Sequence, residues 1–125
     1  MNELIEAILT NFKVDGKNIP YQFLKYTGKE TTYITYGEIN VQNPFYGDDD
    51  LQAYVDYYDF DIYSKGNYFE IIKELKEVLK ANGFMWQPTM TSEDLYENDT
   101  GYYHKTLCFS YLRNEEEENI WHVSV

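Results

Sequence analysis

The chain has 125 residues, 43% hydrophobic and 18% aromatic, enough apolar material for one compact core and too much for a disordered or collagen-like chain. Twenty-two acidic against ten basic residues give a net charge of −12, which argues against binding nucleic acid by neutralising phosphates. Cys108 is the only cysteine, so no intrachain disulfide is expected and a reducing, intracellular setting fits best. MNELIEAILTNF carries no basic leader or signal-peptide core, no stretch approaches the ~18 apolar residues of a membrane span, and the sequon at Asn98 reads as a turn.

Residues 2 to 12 space Leu4, Ile5, Ile8, Leu9 and Phe12 as one face of a short helix, with Asn2 as its N-cap. After the turn-prone Asp15 to Asn18, Pro20 to Tyr26 and Thr31 to Ile39 read as two strands joined as a hairpin through Thr27 to Glu30. Asn40 to Asp50, with Pro44, Gly47 and three aspartates, reads as an exposed loop. Leu51 to Tyr63 alternates as a long strand, Tyr54, Asp56, Tyr58, Phe60 and Ile62 on one face and Ala53, Val55, Tyr57, Asp59, Asp61 and Tyr63 on the other.

Asn67 to Asn82 is an amphipathic helix with an apolar stripe of Phe69, Ile71, Ile72, Leu75, Val78 and Leu79. Asn67 and Glu70 suit a capping box, and Gly83 a left-handed terminator. Phe84 to Met90 reads as a strand, Thr91 to Gly101 as a polar loop, and Tyr102 to Leu112 as a strand with Tyr103, Leu107, Phe109 and Tyr111 on one face. The expected fold is α+β, in the order α-β-β-β-α-β-β, with a mostly antiparallel sheet and both helices on one face. Residues 1–113 form that single domain, and 114–125 an acidic hinge with a C-terminal arm or extra strand.

Chemical motifs are sparse. Asp48, Asp49 and Asp50 invite a calcium loop, but the sixth position from Asp48 is Ala53 where Gly is required, and the twelfth is Asp59 where a Glu is expected. Asp59 and Asp61 share a strand face with Cα atoms about 6 to 7 Å apart, compatible with a carboxylate pair and equally with a polar sheet face. His104 and Cys108, four residues apart on a strand, stand roughly 13 Å from each other and cannot form a nucleophile–base pair. No serine lies in a Gly-x-Ser-x-Gly elbow, and the seven glycines are scattered singly rather than grouped in a phosphate loop. No catalytic, metal or cofactor site is therefore expected. Fourteen tyrosines are more than so small a domain is expected to bury; the sequence fits equally an excess at subunit interfaces, which tyrosine suits, and a tyrosine-heavy core.

The order of elements, with YDFDIYSK leading into FEIIKELKEVLKANGF and then DLYENDTGYYHKTLCFSY, resembles the small tail-completion and tail-terminator, or head–tail joining, proteins of long-tailed phages and prophages of Gram-positive bacteria. The resemblance covers about residues 1–112. It implies an antiparallel sheet with helices packed on it and a homo-oligomeric ring, commonly of six subunits, docked between tail tube protein and head connector proteins. The implied location is the virion, assembled in the host bacterial cytoplasm, with DNA passing through the bore without specific binding, no membrane and no enzyme activity. Glu115 to Glu118 and the apolar finish Ile120 to Val125 depart from the pattern and leave the individual head–tail role open.

Candidate acidic-surface or channel residues on this reading are Asp48, Asp49, Asp50, Asp59 and Asp61. Candidate interface residues are Tyr54, Tyr57, Tyr58, Tyr102, His104, Ile120, Trp121 and Val123. An alternative of a different class is a small acidic DNA mimic that inhibits a nucleic-acid-binding or defence enzyme, which needs carboxylates arrayed over one continuous surface. An enzyme built on Asp59 and Asp61 is a third reading.

Overall fold

The computed structural model describes residues 2–39, 45–47 and 50–114, with 45–47, 50–54 and 114 described by backbone alone. Helix α1 (Asn2–Thr10) buries Ile5, Ile8 and Leu9 at the expected spacing, and Asn11 and Asn18 donate side-chain amides to carbonyls of its last turn. Strands β1 (Lys13–Val14) and β2 (Lys17–Asn18) then form a hairpin on Asp15 and Gly16, whose φ angles of 53° and 75° are those of a type I′ turn.

Strand β3 (Tyr21–Phe23) pairs with β4 (Thr32–Ile39) in parallel, Tyr21 opposite Ile34, so the expected hairpin is not formed. The reason is local. Leu24 takes φ 63° and sends the chain back over the sheet, where Tyr26 stacks on Tyr33 and Leu24 lies against Gly37. The register requires a return of about four to five residues, which the eight-residue connection spans with slack.

Strand β5 (Phe45–Gly47) lies inside the segment read as a loop and pairs antiparallel with the start of β6 (Asp50–Ser64) through a register shift. Three residues are too short to show alternation, which is why Phe45 and Tyr46 gave no strand signal. The long strand β6 is close to its expected bounds and sits between β4 and β9 (Tyr102–Asn114), antiparallel to both.

Helix α2 (Phe69–Ala81) buries Ile71, Ile72, Leu75 and Leu79, while Phe69 is exposed and leaves the stripe. Asn67 accepts the Phe69 amide at 2.9 Å, in place of the full capping box. At the other end Gly83, at φ 93°, closes a Schellman motif: its amide reaches the Lys80 carbonyl, and that of Phe84 reaches Leu79.

Strand β7 is only Met85–Trp86, because Pro88 cannot donate to a ladder and opens a 3-10 turn over Pro88–Met90. The supposed polar loop after it contains β8 (Leu95–Glu97), which pairs with the start of β9 through a turn closed by Gly101. The sheet runs β3-β4-β6-β9-β7, with β5 continuing the β4 edge of β6 and β8 continuing the β7 edge of β9.

Both helices lie on one face. The registers stack Ile34 on Ile62, Tyr36 on Phe60 on Leu107, and Tyr58 on Phe109, and these join the buried faces of α1 and α2 in one core. The fold is α+β with a mostly antiparallel sheet, as expected. No described helix is long and apolar enough to cross a membrane.

Candidate functional site: the open face of the sheet

The face turned away from the helices carries the odd-numbered residues of β4 and β6 and the even-numbered residues of β9. Registers align Tyr33, Tyr63 and His104 in one row, Thr35, Asp61 and Thr106 in the next, and Gly37, Asp59 and Cys108 in a third. A row of side chains across antiparallel strands is the unit in which a sheet face interacts.

The first row is a continuous stack. Tyr26 lies on Tyr33 with centroids 4.2 Å apart, Tyr33 on Tyr63 at 4.9 Å, and Tyr63 on His104 at 4.1 Å. Tyr102 meets Tyr33 and Tyr63 edge-on, and the Lys65 ammonium stands 5.1 Å from the centre of the Tyr102 ring. Burial and neighbouring acids push the Tyr63 hydroxyl up to about 12, so it stays a neutral donor.

The second row is polar and bonds to the first through Asp61 and His104. His104 Nε2 lies 2.9 Å from Asp61 Oδ1, which also accepts the Thr106 hydroxyl. A carboxylate accepts only, so His104 Nε2 is the donor of this bond. In the third row Asp59 and Cys108 are partners. Burial, then the nearby Asp61, pushes the Asp59 carboxyl up, against the lowering effect of its hydrogen bond with Cys108. Burial and Asp59 raise the Cys108 thiol to about 11, which makes it a poor nucleophile.

Asp59, Asp61, Tyr57, Tyr102 and His104 thus gather, half-buried, on this face. Tyr58, expected at an interface, is instead in the core at 2% exposure, because its parity on β6 turns it to the helices against Phe84 and Phe109. Tyr54 and Asp50 belong to β6 by backbone register alone. Asp48, Asp49, Ile120, Trp121 and Val123, with the proposed arm, lie outside the described residues.

Asp59 and Asp61 are each engaged by a different partner on β9, Asp61 by His104 and Asp59 by Cys108. Among the described residues no three His, Cys, Asp or Glu side chains group as metal ligands. Tyr26, Tyr33, Thr35 and Thr106 were not singled out from sequence. Tyr33 and Thr106 had a usable signal in the alternation of their strands, whereas Tyr26 reaches the face only through the parallel return of its loop. No protein-family model matches the chain, and comparison with curated proteins finds no match.

Proposed function

We propose that the chain is a structural virion protein of a long-tailed phage or prophage: one subunit of a homo-oligomeric ring, six-fold in the family it resembles, that terminates or completes the tail tube and joins it to the head connector. The observation that carries this reading is the half-buried stacked row Tyr26, Tyr33, Tyr63 and His104 on the sheet face turned away from the helices. A ring subunit needs a rigid contact surface that is apolar in body and polar at its tips, and packed tyrosines supply it with little side-chain entropy left to lose. The mechanism is geometric: ring closure fixes the diameter, aromatic contacts give affinity, and charges set register.

On this reading the protein works without cofactor or reaction, and an acidic bore lets DNA pass without sticking, with Asp48, Asp49 and Asp50 as candidate bore residues. Support over the inhibitor reading comes from the acids themselves. Asp56 is held by Arg113, Asp61 by His104 and Thr106, and Asp94 by Tyr68 and Lys105, so they do not present a continuous phosphate-like array. Light scattering across a concentration and salt series, with negative-stain imaging of large species, tests the reading. A closed ring with a central hole is expected. A chain that stays monomeric under every condition, tail tubes included, would overturn it.

A further inference from the structure

The open face changes character along its length. Beyond the row of Gly37, Asp59 and Cys108, the registers align Ile39, Tyr57, Ser110 and Met85, and then Val55 and Leu112. Leu24 lies over Gly37 on the same side. Leu24, Met85 and Leu112 are 60% to 67% exposed, so this end of the face offers an apolar surface to solvent, whereas the aromatic row at the other end is half-buried.

A second apolar surface lies on the opposite side of the sheet. Phe69 opens α2 beside Tyr68, whose ring meets that of Tyr103 at 6.3 Å, and Tyr103 in turn meets Tyr96 at 4.8 Å. Tyr103 shares the parity of Leu107 and Phe109 on β9, which places these rings on the helix side. Phe69, Tyr96 and Tyr103 are 41% to 64% exposed. Single exposed apolar side chains are ordinary in a folded protein, but contiguous groups of them mark contact surfaces.

We propose that the two surfaces are the halves of one contact between copies of this chain: Phe69, Tyr96 and Tyr103 of one subunit pack on Leu24, Met85 and Leu112 of the next, a head-to-tail contact that rests on the ring reading. Leu112 lies about 30 Å along β9 from Tyr103 and on the other face of the sheet. Surfaces at opposite ends and on opposite faces cannot both meet one rigid partner. Each subunit therefore touches two neighbours through two different surfaces, which is the condition for a closed ring. Charge favours head-to-tail over like-to-like pairing. Lys25 follows Leu24 and Glu70 follows Phe69, both exposed, and neither is in an ion pair among the described residues. Head-to-tail contact brings these opposite charges together, whereas like-to-like contact brings equal ones together, in a chain that already carries −12.

Complementation between two variants tests the assignment. Met85→Gln with Leu112→Gln removes one surface, and Phe69→Gln with Tyr96→Gln removes the other, with no change in net charge. All four side chains are exposed, so far-UV spectra and urea midpoints should stay near those of the unaltered chain. Leu112→Ser and Phe69→Ser are the milder replacements if either pair unfolds. By light scattering and native mass spectrometry, each variant alone should associate about thirtyfold more weakly than the unaltered chain. Their equimolar mixture should form a pair of chains that grows no further, because one intact contact remains. Variants that still close rings, or a mixture that restores nothing, would overturn the assignment while rings of the unaltered chain keep the ring reading in place. An unaltered chain that forms no ring overturns both together.

Discussion

Replacing Tyr63 with Ala tests both the packing of the open face and its use. Its ring lies between Tyr33 at 4.9 Å and His104 at 4.1 Å, with Tyr102 edge-on at 6.3 Å. Aromatic pairs contribute about 0.5–1.5 kcal/mol each beyond their area, so three contacts on a half-buried face amount to about 2–3 kcal/mol. A domain of this size has about 5–15 kcal/mol of stability in total, so the variant still folds. Urea unfolding at a concentration that keeps the chain monomeric reads this loss, and Tyr63→Phe, which keeps the ring, should lose less than about 1 kcal/mol. Light scattering reads association, where a buried anchor at the centre of a contact is worth about 2 kcal/mol, or about thirtyfold in affinity. A loss below about 1 kcal/mol for Tyr63→Ala would refute the packing argument. Lost stability with unchanged association would refute the use of this face between subunits.

Asp61→Ala deprives His104 and Thr106 of their shared acceptor and should cost about 1–3 kcal/mol in thermal or urea unfolding, with Asp61→Asn milder because one acceptor oxygen remains. Gly83→Ala places a Cβ at φ 93°, 3.4 Å from Tyr111, and should cost about 1–2 kcal/mol by the same assays, with α2 fraying from its end as read by amide exchange. The Cys108 thiol should resist alkylation at pH 8 in the folded chain and react at once in urea. Its folded value of about 11 stands above its ordinary 9.0, so the unfolded chain ionises first; stability is intact below pH 9 and falls toward pH 11, by on the order of 2 kcal/mol. Cys108→Ala should flatten that part of the alkaline profile.

Elements with many turns of periodicity were legible in the sequence, and those of two or three residues were not. Leu75 and Leu79 identify α2, and Tyr58, Phe60 and Ile62 identify the core face of β6, because each repeats a period several times. Strands β5, β7 and β8 owe their pairing to the long neighbours that recruit them, so their own residues carry little signal. The parallel β3–β4 pair was misread because a polar Thr-Gly-Lys-Glu stretch resembles a hairpin turn, whereas the backbone reversal begins earlier, at Leu24. Half of the open face was visible as the Asp59, Asp61 and Tyr63 parity of β6. Its partners on β9 depend on register, which alternation within one strand does not specify. Tyrosine abundance divides in the same way: Tyr36 and Tyr68 are core residues whose hydroxyls reach Glu6 and Asp94, while Tyr33 and Tyr63 build the open face.

On the proposed ring reading, two aspartates at the centre of the contact face oppose association of chains that each carry −12. Contacts within a single chain offset this. Asp61 spends its oxygen on His104 and Thr106, and Asp59 is already shifted toward its neutral form by burial and by Asp61. Covering Asp59 further in a contact disfavours its ionised form more strongly, so protonation and association are linked: association on this face should tighten as pH falls toward the raised Asp59 titration, and Asp59→Asn should remove that dependence. Added salt should also tighten it by screening the repulsion between whole subunits, whereas a DNA mimic bound to a basic groove would weaken with salt. The sign of the salt response therefore separates the two readings in one titration.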